Sequence, residues 1–505
     1  MNAHPLQEQL TDLRRRIGEI KDVNASLAVL HWDQEVFMPP KAAAGRGQQL
    51  STLSSIAHRM ATNDGLGALL EDLDQAGLDG DDATLVSETL HDYKREKKLP
   101  EKFVREFSLL QSQAYETWVK ARKDSNFPTF QPLLEKVVDK LKQRADLMGY
   151  EGSPYNALLE DYERGMTAEA LKPIFADLAE RQSAIVERIA NAPNQPDVSW
   201  LNQKWDTNKQ WDVSMQVIRD LGYDLDAGRM DKSVHPFTTD FGQRDVRITT
   251  RVSDDEPFSC LTGAIHETGH ALYEQGFRDE DERTTLAEAI SLGIHESQSR
   301  MWENLIGRSL PFWRRYAPLM QKAFPSELKG ISAEQMCAAI NQVQPTFIRV
   351  EADECTYNLH VVLRFELELD LIEGRLSVKD IPDAWNAKIK QYLGLDVTDD
   401  AMGCLQDIHW SHGSMGYFPT YALGNLYASQ MFETIEQDIP DLWNHVEQGE
   451  FAPLLTWLRE NVHRVGRRRT APQLIKQITG DDLSSEPFIR YLKKKFGGLY
   501  EIEFE

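Results

Sequence analysis

Apolar positions over the first 200 residues recur at steps of three, four and seven, the spacing of one face of an α-helix. Leu10, Leu13, Ile17, Ile20, Leu27 and Leu30 form one such stripe and predict a long first helix, broken at Pro39 and Pro40. Leu50, Leu53 and Ala57 share a face of a second helix, so the two should pair as an antiparallel hairpin. Further helices are expected near 82–97, 101–123, 129–148 and 167–191, with acidic loops such as 77–82 between them. Helical pattern resumes from about 256 and runs to the C-terminus. No repeat of fixed period and no low-complexity tract interrupts it. The runs Arg467-Arg468-Arg469 and Lys493-Lys494-Lys495 read as solvated helix faces or ends.

One segment departs from this rhythm. Between about 232 and 252, Val246, Ile248 and Thr250 alternate with Arg247, Thr249 and Arg251, a period of two that predicts a small β-ribbon. The ribbon precedes the segment His266-Glu267-Thr268-Gly269-His270, an HExxH motif. On a helix, residues four apart lie one above the other, so both imidazoles can reach one ion. Glu267, one residue on, can then contact a water at that ion. A helix is expected here, because Asp254, Asp255 and Glu256 precede Pro257, and Leu261, Ile265, Thr268 and Leu272 form an apolar stripe. Random placement of this chain's His and Glu gives about 0.03 such motifs, so chance is a weak explanation.

A zinc site of this kind needs a third protein ligand. A metzincin would supply a His six residues after the second His, but Gly276 stands there. A glutamate from the next helix is the other solution, and Glu288 and Glu296 are the candidates. They lie two turns apart, about 12 Å, so only one can ligate. Thr285-Leu286-Ala287-Glu288 has the form of a capping box, which would occupy Glu288 at a helix N-terminus. Glu296 is then the ligand. His235, Asp245 and Arg247 stand just upstream, and Asp245 is a candidate partner for the second N–H of a ligating histidine.

Composition narrows the picture. The chain of 505 residues carries 56 basic and 80 acidic side chains, a formal charge of −24. That excess of acid argues against nucleic acid and anionic membrane as partners. Four scattered cysteines form no CxxC pair, which speaks against a thiolate metal site and for reduced thiols. The N-terminus shows no secretory pattern, and no stretch approaches the roughly 18 apolar residues of a membrane span. The expected location is cytoplasmic. Length alone suggests about three domains.

Several separated motifs now stand in order: His235-Pro236-Phe237, Asp245-Val246-Arg247-Ile248-Thr249, the HETGH segment, His295-Glu296-Ser297-Gln298, Ile348-Arg349 with Ala352-Asp353, and Gly403-Cys404-Leu405-Gln406-Asp407-Ile408-His409-Trp410. His31-Trp32-Asp33, Met38-Pro39-Pro40, GYFPTY at 416–421 and the C-terminal RYLKKKFGGLY join them. Together they resemble the Taq-type metallocarboxypeptidases over essentially the whole chain. The resemblance implies a mainly α, gluzincin-type helical body with a deep cleft, similar in plan to neurolysin and angiotensin-converting enzyme, and usually dimeric. It implies release of single residues from peptide C-termini with broad side-chain tolerance, using zinc or sometimes cobalt. Its third metal ligand falls on Glu296.

The chemistry assigns further roles. His266, His270 and Glu296 would hold the metal, and Glu267 would serve as general base and then acid. An oxyanion needs donors beyond the metal. The Gly-rich segment 409–417 offers them, and neurolysin-like enzymes use a His and a Tyr from a similar loop. His409 and Tyr417 are favoured, with His412 and Tyr421 as substitutes. The family resemblance points to Arg349 for the substrate's terminal carboxylate, which a guanidinium grips with two parallel bonds. The metal helix, Arg349 and the Tyr417 loop must then converge, so a single domain over 1–505 replaces the three, with two lobes able to flank the cleft. An oligopeptidase or dipeptidyl carboxypeptidase on the same scaffold is the nearest alternative. A non-catalytic metal-binding scaffold is a more distant one, since it has no need of Glu267.

Overall fold

The computed structural model describes residues 3–504. It opens with the expected hairpin, α1 (Ala3–Val36) and α2 (Ala43–Ala61), separated at Pro39 and Pro40. Then follow α3 (Asp64–Asp74), α4 (Gly80–Lys97), α5 (Glu101–Lys123), α6 (Phe127–Met148), α7 (Tyr155–Leu159), α8 (Ala168–Ala190) and α9 (Thr207–Asp220). The helix bounds over 80–190 fall within a few residues of those the periodicity gives. Asn63, Asn126, Thr167 and Asp206 cap their helices by accepting backbone N–H bonds with their side chains, which fixes where those helices begin.

The period-two segment is larger than expected. Three strands form, β1 (Gly228–Lys232), β2 (Thr238–Asp240) and β3 (Val246–Thr250), in the order β1-β3-β2. β2 runs antiparallel to β3, with Thr238 opposite Ile248, while β1 runs parallel to it, with Gly228 opposite Val246. β1 carries no clean alternation of its own, so only its pairing to β3 makes it a strand. Arg247 of β3 does not face solvent. Its guanidinium lies 4.4 Å from the ring centre of Trp32 on α1, which ties the first hairpin to the sheet.

The second half comprises α10 (Ser259–Glu274), α11 (Leu292–Arg300), α12 (Leu310–Ala323), α13 (Ala333–Ile340), α14 (Tyr357–Ile372), α15 (Ile381–Leu393), α16 (Pro419–Asp438), α17 (Leu442–Gln448), α18 (Ala452–Asn461), α19 (Ala471–Thr479) and α20 (Glu486–Tyr500). One hydrophobic cluster extends from Phe103 to Tyr500, and a smaller one joins α1, α3 and α4 to Leu286. No helix among the described residues is long and apolar enough to cross a membrane.

The two basic runs are solvated only in part: Arg469 and Lys494 are exposed as expected, while Arg467, Arg468 and Lys495 are not. Arg467 donates to Asp92, Glu88 and Glu288, and Arg468 to Asp81 and Asp281. Lys495 is buried against Glu354, at 2.5 Å. Charge runs look solvated when only neighbours in sequence are counted; here their partners lie more than 100 residues away.

Candidate metal centre and active site

α10 carries the HETGH segment on a helix whose other positions are buried apolar residues, Leu261, Ile265 and Leu272 among them. That packing fixes the helix and turns His266 and His270 to one side, one turn apart. α11 crosses α10 at very short range. A Cβ added to Gly269 would stand 2.6 Å from the Ser299 Cα and 2.7 Å from the Gln298 carbonyl oxygen. From the other side α16 presses in, where a Cβ on Gly424 would meet the Glu296 side chain at 2.4 Å. Two glycines therefore let three helices close around Glu296.

The result is one cluster. Ligand atoms of His266, His270 and Glu296 lie within 4.8 Å of one another. Glu296 Oε2 stands 3.4 Å from His270 Nε2 and 3.8 Å from His266 Nε2. A tetrahedral zinc with bonds of about 2.0–2.1 Å needs ligand atoms roughly 3.4 Å apart, so this donor set fits a divalent metal of that size. His266 keeps 19% of its side-chain surface exposed, so the cluster is reachable.

The two imidazoles differ electrostatically: burial lowers His266, but Glu296 and Glu303 outweigh it and raise its pKa on balance, whereas His270 is lowered. Burial, with His295 adding to it, pushes His270 down to about 3, so its imidazole is neutral, as a ligand must be. Burial alone would raise Glu296, but Arg300, His266 and His270 outweigh it and hold the carboxyl far below its usual range. Arg300 Nε donates to Glu296 Oε1 at 2.6 Å, which leaves Oε2 for the metal. Glu267 is pushed up by burial, against the pull of His266 and Thr238, toward the range useful for a base. Thr238 Oγ1 of β2 donates to Glu267 Oε2 at 2.6 Å and so orients it.

The supporting residues differ from those expected. Asp245 does not reach a histidine; it forms a two-bond pair with Arg247 at 2.7 Å. Glu303 takes that place, with Oε2 2.9 Å from His266 Nδ1. It lies in a wider π-type turn, Met301–Ile306, that continues α11, and it is steadied by Arg308 at 2.9 Å. The spacing Glu296, Arg300, Glu303 is i, i+4, i+7, a one-face pattern that was readable in advance. His270 Nδ1 meets His295 Nδ1, and His295 Nε2 meets Glu274 at 2.6 Å. With His270 Nε2 turned to the metal cluster, its Nδ1–H donates to His295, whose Nε2–H donates to Glu274.

The capping-box reading is also overturned. α11 begins at Leu292, and Ser291 caps it by accepting from the Ile294 N–H. Thr285 instead bonds Thr89 at 2.9 Å, and Glu288 pairs with Lys21 and Arg467. Glu288 is still occupied elsewhere, by ion pairs from α1 and the segment before α19.

Arg349 is 5% exposed and held by residues far along the chain. Its Nε and Nη2 lie 3.2 and 3.1 Å from Asp407 Oδ1, and Nη1 donates to the Tyr357 hydroxyl at 2.9 Å. None of the sequence neighbours Glu351, Asp353 or Glu354 pairs with it among the described contacts. Arg364 shares Asp407 from the other side, at 2.6 Å. The Tyr357 ring also lies 4.5 Å from the Arg300 guanidinium, so a short chain of contacts leads from Arg349 through Tyr357 and Arg300 to Glu296.

The segment 409–417 brings its two favoured residues together. The rings of His409 and Tyr417 are 5.4 Å apart, and Tyr417 and Tyr421 are 5.2 Å apart. Tyr421 sits on α16 three residues before Gly424, the residue pressed against Glu296. Burial, despite Asp407, pushes His409 down to about 4, and its buried Nδ1 makes no hydrogen bond but faces Asp407 Oδ1 at 3.9 Å. Burial also raises Tyr417, and Glu296 adds to the rise. His412 is separate: it is exposed and packs on Tyr115 of α5 at 5.4 Å.

Comparison with known proteins places the chain in a family. Residues 10–496 match the model of a family described as carboxypeptidase Taq (M32) metallopeptidase. The chain is 38% identical to carboxypeptidase 1 of Bacillus subtilis over 502 residues, covering 99% of this chain and 100% of the relative. It is 39% identical to thermostable carboxypeptidase 1 of Thermus thermophilus over 513 residues, with the same coverage. The solved M32 carboxypeptidase of Deinococcus radiodurans superposes with a TM-score of 0.96 at 39% identity, over 98% of this chain and 100% of that one.

Proposed function

The chain belongs to the carboxypeptidase Taq (M32) metallopeptidase family and is a metal-dependent carboxypeptidase, and from that premise we propose that it releases single C-terminal residues at the His266–His270–Glu296 centre. The observation that carries this reading is the triangle of ligand atoms with Glu267 beside it.

The metal is zinc, with cobalt as the alternative, held by His266, His270 and Glu296. When bound, it supplies Lewis acidity that polarises the scissile carbonyl and lowers the pKa of a water toward about 7. The Glu267 carboxylate takes a proton from the attacking water and passes it to the leaving amine nitrogen. Thr238 keeps that carboxylate aimed. The Tyr417 hydroxyl and a ring N–H of His409 donate to the oxygen that becomes negative, with Tyr421 packed behind them. Neutral His409 can donate without bringing a second full charge. Arg349 grips the terminal carboxylate, which makes the cut fall one residue from the end.

The whole chain is proposed as one catalytic domain, in a homodimer, working on peptides of broad sequence in the cytoplasm. Four buried, unpaired cysteines support a reducing compartment. A sedimentation mass of one 57.7 kDa chain would remove the dimer. The reaction is tested by a timed peptide digest read by mass. A C-terminal ladder of single losses, abolished by a chelator and restored by zinc or cobalt, is expected. Dipeptides or internal fragments would instead indicate an oligopeptidase or dipeptidyl carboxypeptidase.

A further inference from the structure

α14 is an apolar helix with three large polar side chains on one face. Tyr357, Arg364 and Glu368 stand at i, i+7 and i+11, a helical stripe. Tyr357 meets Arg349, and Arg364 meets Asp407. Glu368 is fully buried and none of the roles above uses it. A carboxylate in such a place is costly unless every lone pair is met.

Its partners come from one place in the fold. Oε1 accepts from the Trp410 indole N–H at 2.8 Å. Oε2 accepts from the Gly416 backbone N–H at 3.0 Å and from the Tyr155 hydroxyl of α7 at 2.7 Å. Trp410 directly follows His409, and Gly416 directly precedes Tyr417. A single carboxylate thus joins the two ends of the segment 409–417 and pins both to α7. Gly416 has φ +98° and a backbone so close to Leu158 that a Cβ would stand 2.9 Å from its carbonyl carbon, so this end is held from both sides.

We propose that Glu368 is a positioning residue for catalysis, a clasp that holds His409 and Tyr417 in register with the metal centre. The inference rests on the reading that these two residues serve the oxyanion. A Gly-containing loop is a poor platform for groups that must be placed within about 0.5 Å, and a buried anchor at both ends corrects that. Burial raises the Glu368 carboxyl to about 7, against the pull of its three donors, so the clasp binds its donors most strongly once it is ionised.

The test uses the metal-loaded full chain. Glu368→Gln puts an amide N–H against donors and loosens one end of the loop. It should retain full metal content and a KM within about threefold, while kcat falls roughly 10–100-fold, the usual effect of a supporting shell. Tyr417→Phe is measured beside it, alone and combined. If the clasp acts through Tyr417, Glu368→Gln costs little further in the Tyr417→Phe protein. An equal fold-loss in both backgrounds, or a loss of metal and thermal stability that accounts for the activity, makes Glu368 merely structural and overturns the proposal. Full activity in Tyr417→Phe alone removes the oxyanion reading, and with it this route. Trp410→Phe deletes one donor and keeps the carboxylate. It provides the same readout with a smaller loss, should Glu368→Gln fail to fold, and unchanged kcat there also overturns the clasp.

Discussion

Two buried charge clusters lie on either side of the Tyr357 ring, and they are built with opposite imbalance. At the metal centre three carboxylates, Glu267, Glu296 and Glu303, stand against two guanidinium groups, Arg300 and Arg308. With the two ligating imidazoles neutral, as a bound metal requires, these five side chains leave one negative charge over. At the other cluster two guanidinium groups, Arg349 and Arg364, share one carboxylate, Asp407. Those three side chains leave one positive charge over, which Glu368 beside Arg364 offsets in its ionised form. Burying unbalanced charge is expensive, so each set of side chains favours a ligand of opposite sign. The first would suit a cation, and under the proposed function the second would take an anion, a peptide's terminal carboxylate. The difference bears on how the two clusters are joined: Tyr357 touches Arg300 on one side and Arg349 on the other.

Breaking the negative side should have the largest effect. Glu296→Ala should lose the metal altogether. Glu267→Gln should keep it, because that carboxylate is no ligand, and still lose about 10²–10⁴ in kcat. Metal analysis on the purified proteins separates the two, and a Glu296→Ala protein with full metal would refute its role.

Breaking the positive side should cost less and read out differently. Arg349→Ala leaves Arg364 and Asp407 as a neutral pair, so the fold should tolerate it. Activity on free-acid peptides should fall by roughly 10²-fold, the worth of charged hydrogen bonds. Peptides with an amidated C-terminus should be far less affected. An equal loss on both substrates would make Arg349 structural.

A third break is read in stability rather than activity and sharpens the comparison through pH. Burial alone would raise Asp407, but Arg364 and Arg349 outweigh it and hold its carboxyl well below the usual range. A depressed folded pKa stabilises the protein above the unfolded value of about 4, and that stability fades only as pH falls through the folded one. Asp407→Asn should therefore be less stable than the wild type by about 3–5 kcal/mol at pH 7 and equally so at pH 5. The gap should narrow only in strong acid. Denaturant melts that converge already between pH 7 and pH 5 would show that Asp407 is not held in this way.

Parts of this arrangement were legible in the sequence and parts were not. The bounds of α4, α5, α6 and α8 followed from periodicity, because each helix buries one stripe and its ends carry local signals. Glu296 was reached by an argument whose first step fails, since the box at Thr285 caps nothing. Glu288 is engaged all the same, by Lys21 and Arg467, and it is Glu296 that clusters with His266 and His270. Asp245, on the strand just upstream of the metal helix, was the candidate partner for a ligating histidine, yet Glu303, from the turn that continues α11, meets His266. Asp407 stood inside a quoted motif without a role, because its partner Arg349 lies 58 positions away.

The sequence by itself determined the elements that one helix or strand can encode: which stretches are helical, that β3 alternates, and that His266, Glu267 and His270 share a face. Helical spacing is local geometry, and every sequence with that spacing inherits it. Only the tertiary structure decided which glutamate meets those histidines, how close α11 and α16 come through Gly269 and Gly424, and which acids neutralise Arg349 and Lys495. Those outcomes depend on charges and backbones brought together from distant parts of the chain. Their energies exist only after burial lowers the dielectric around them, and no residue carries that information in its neighbours.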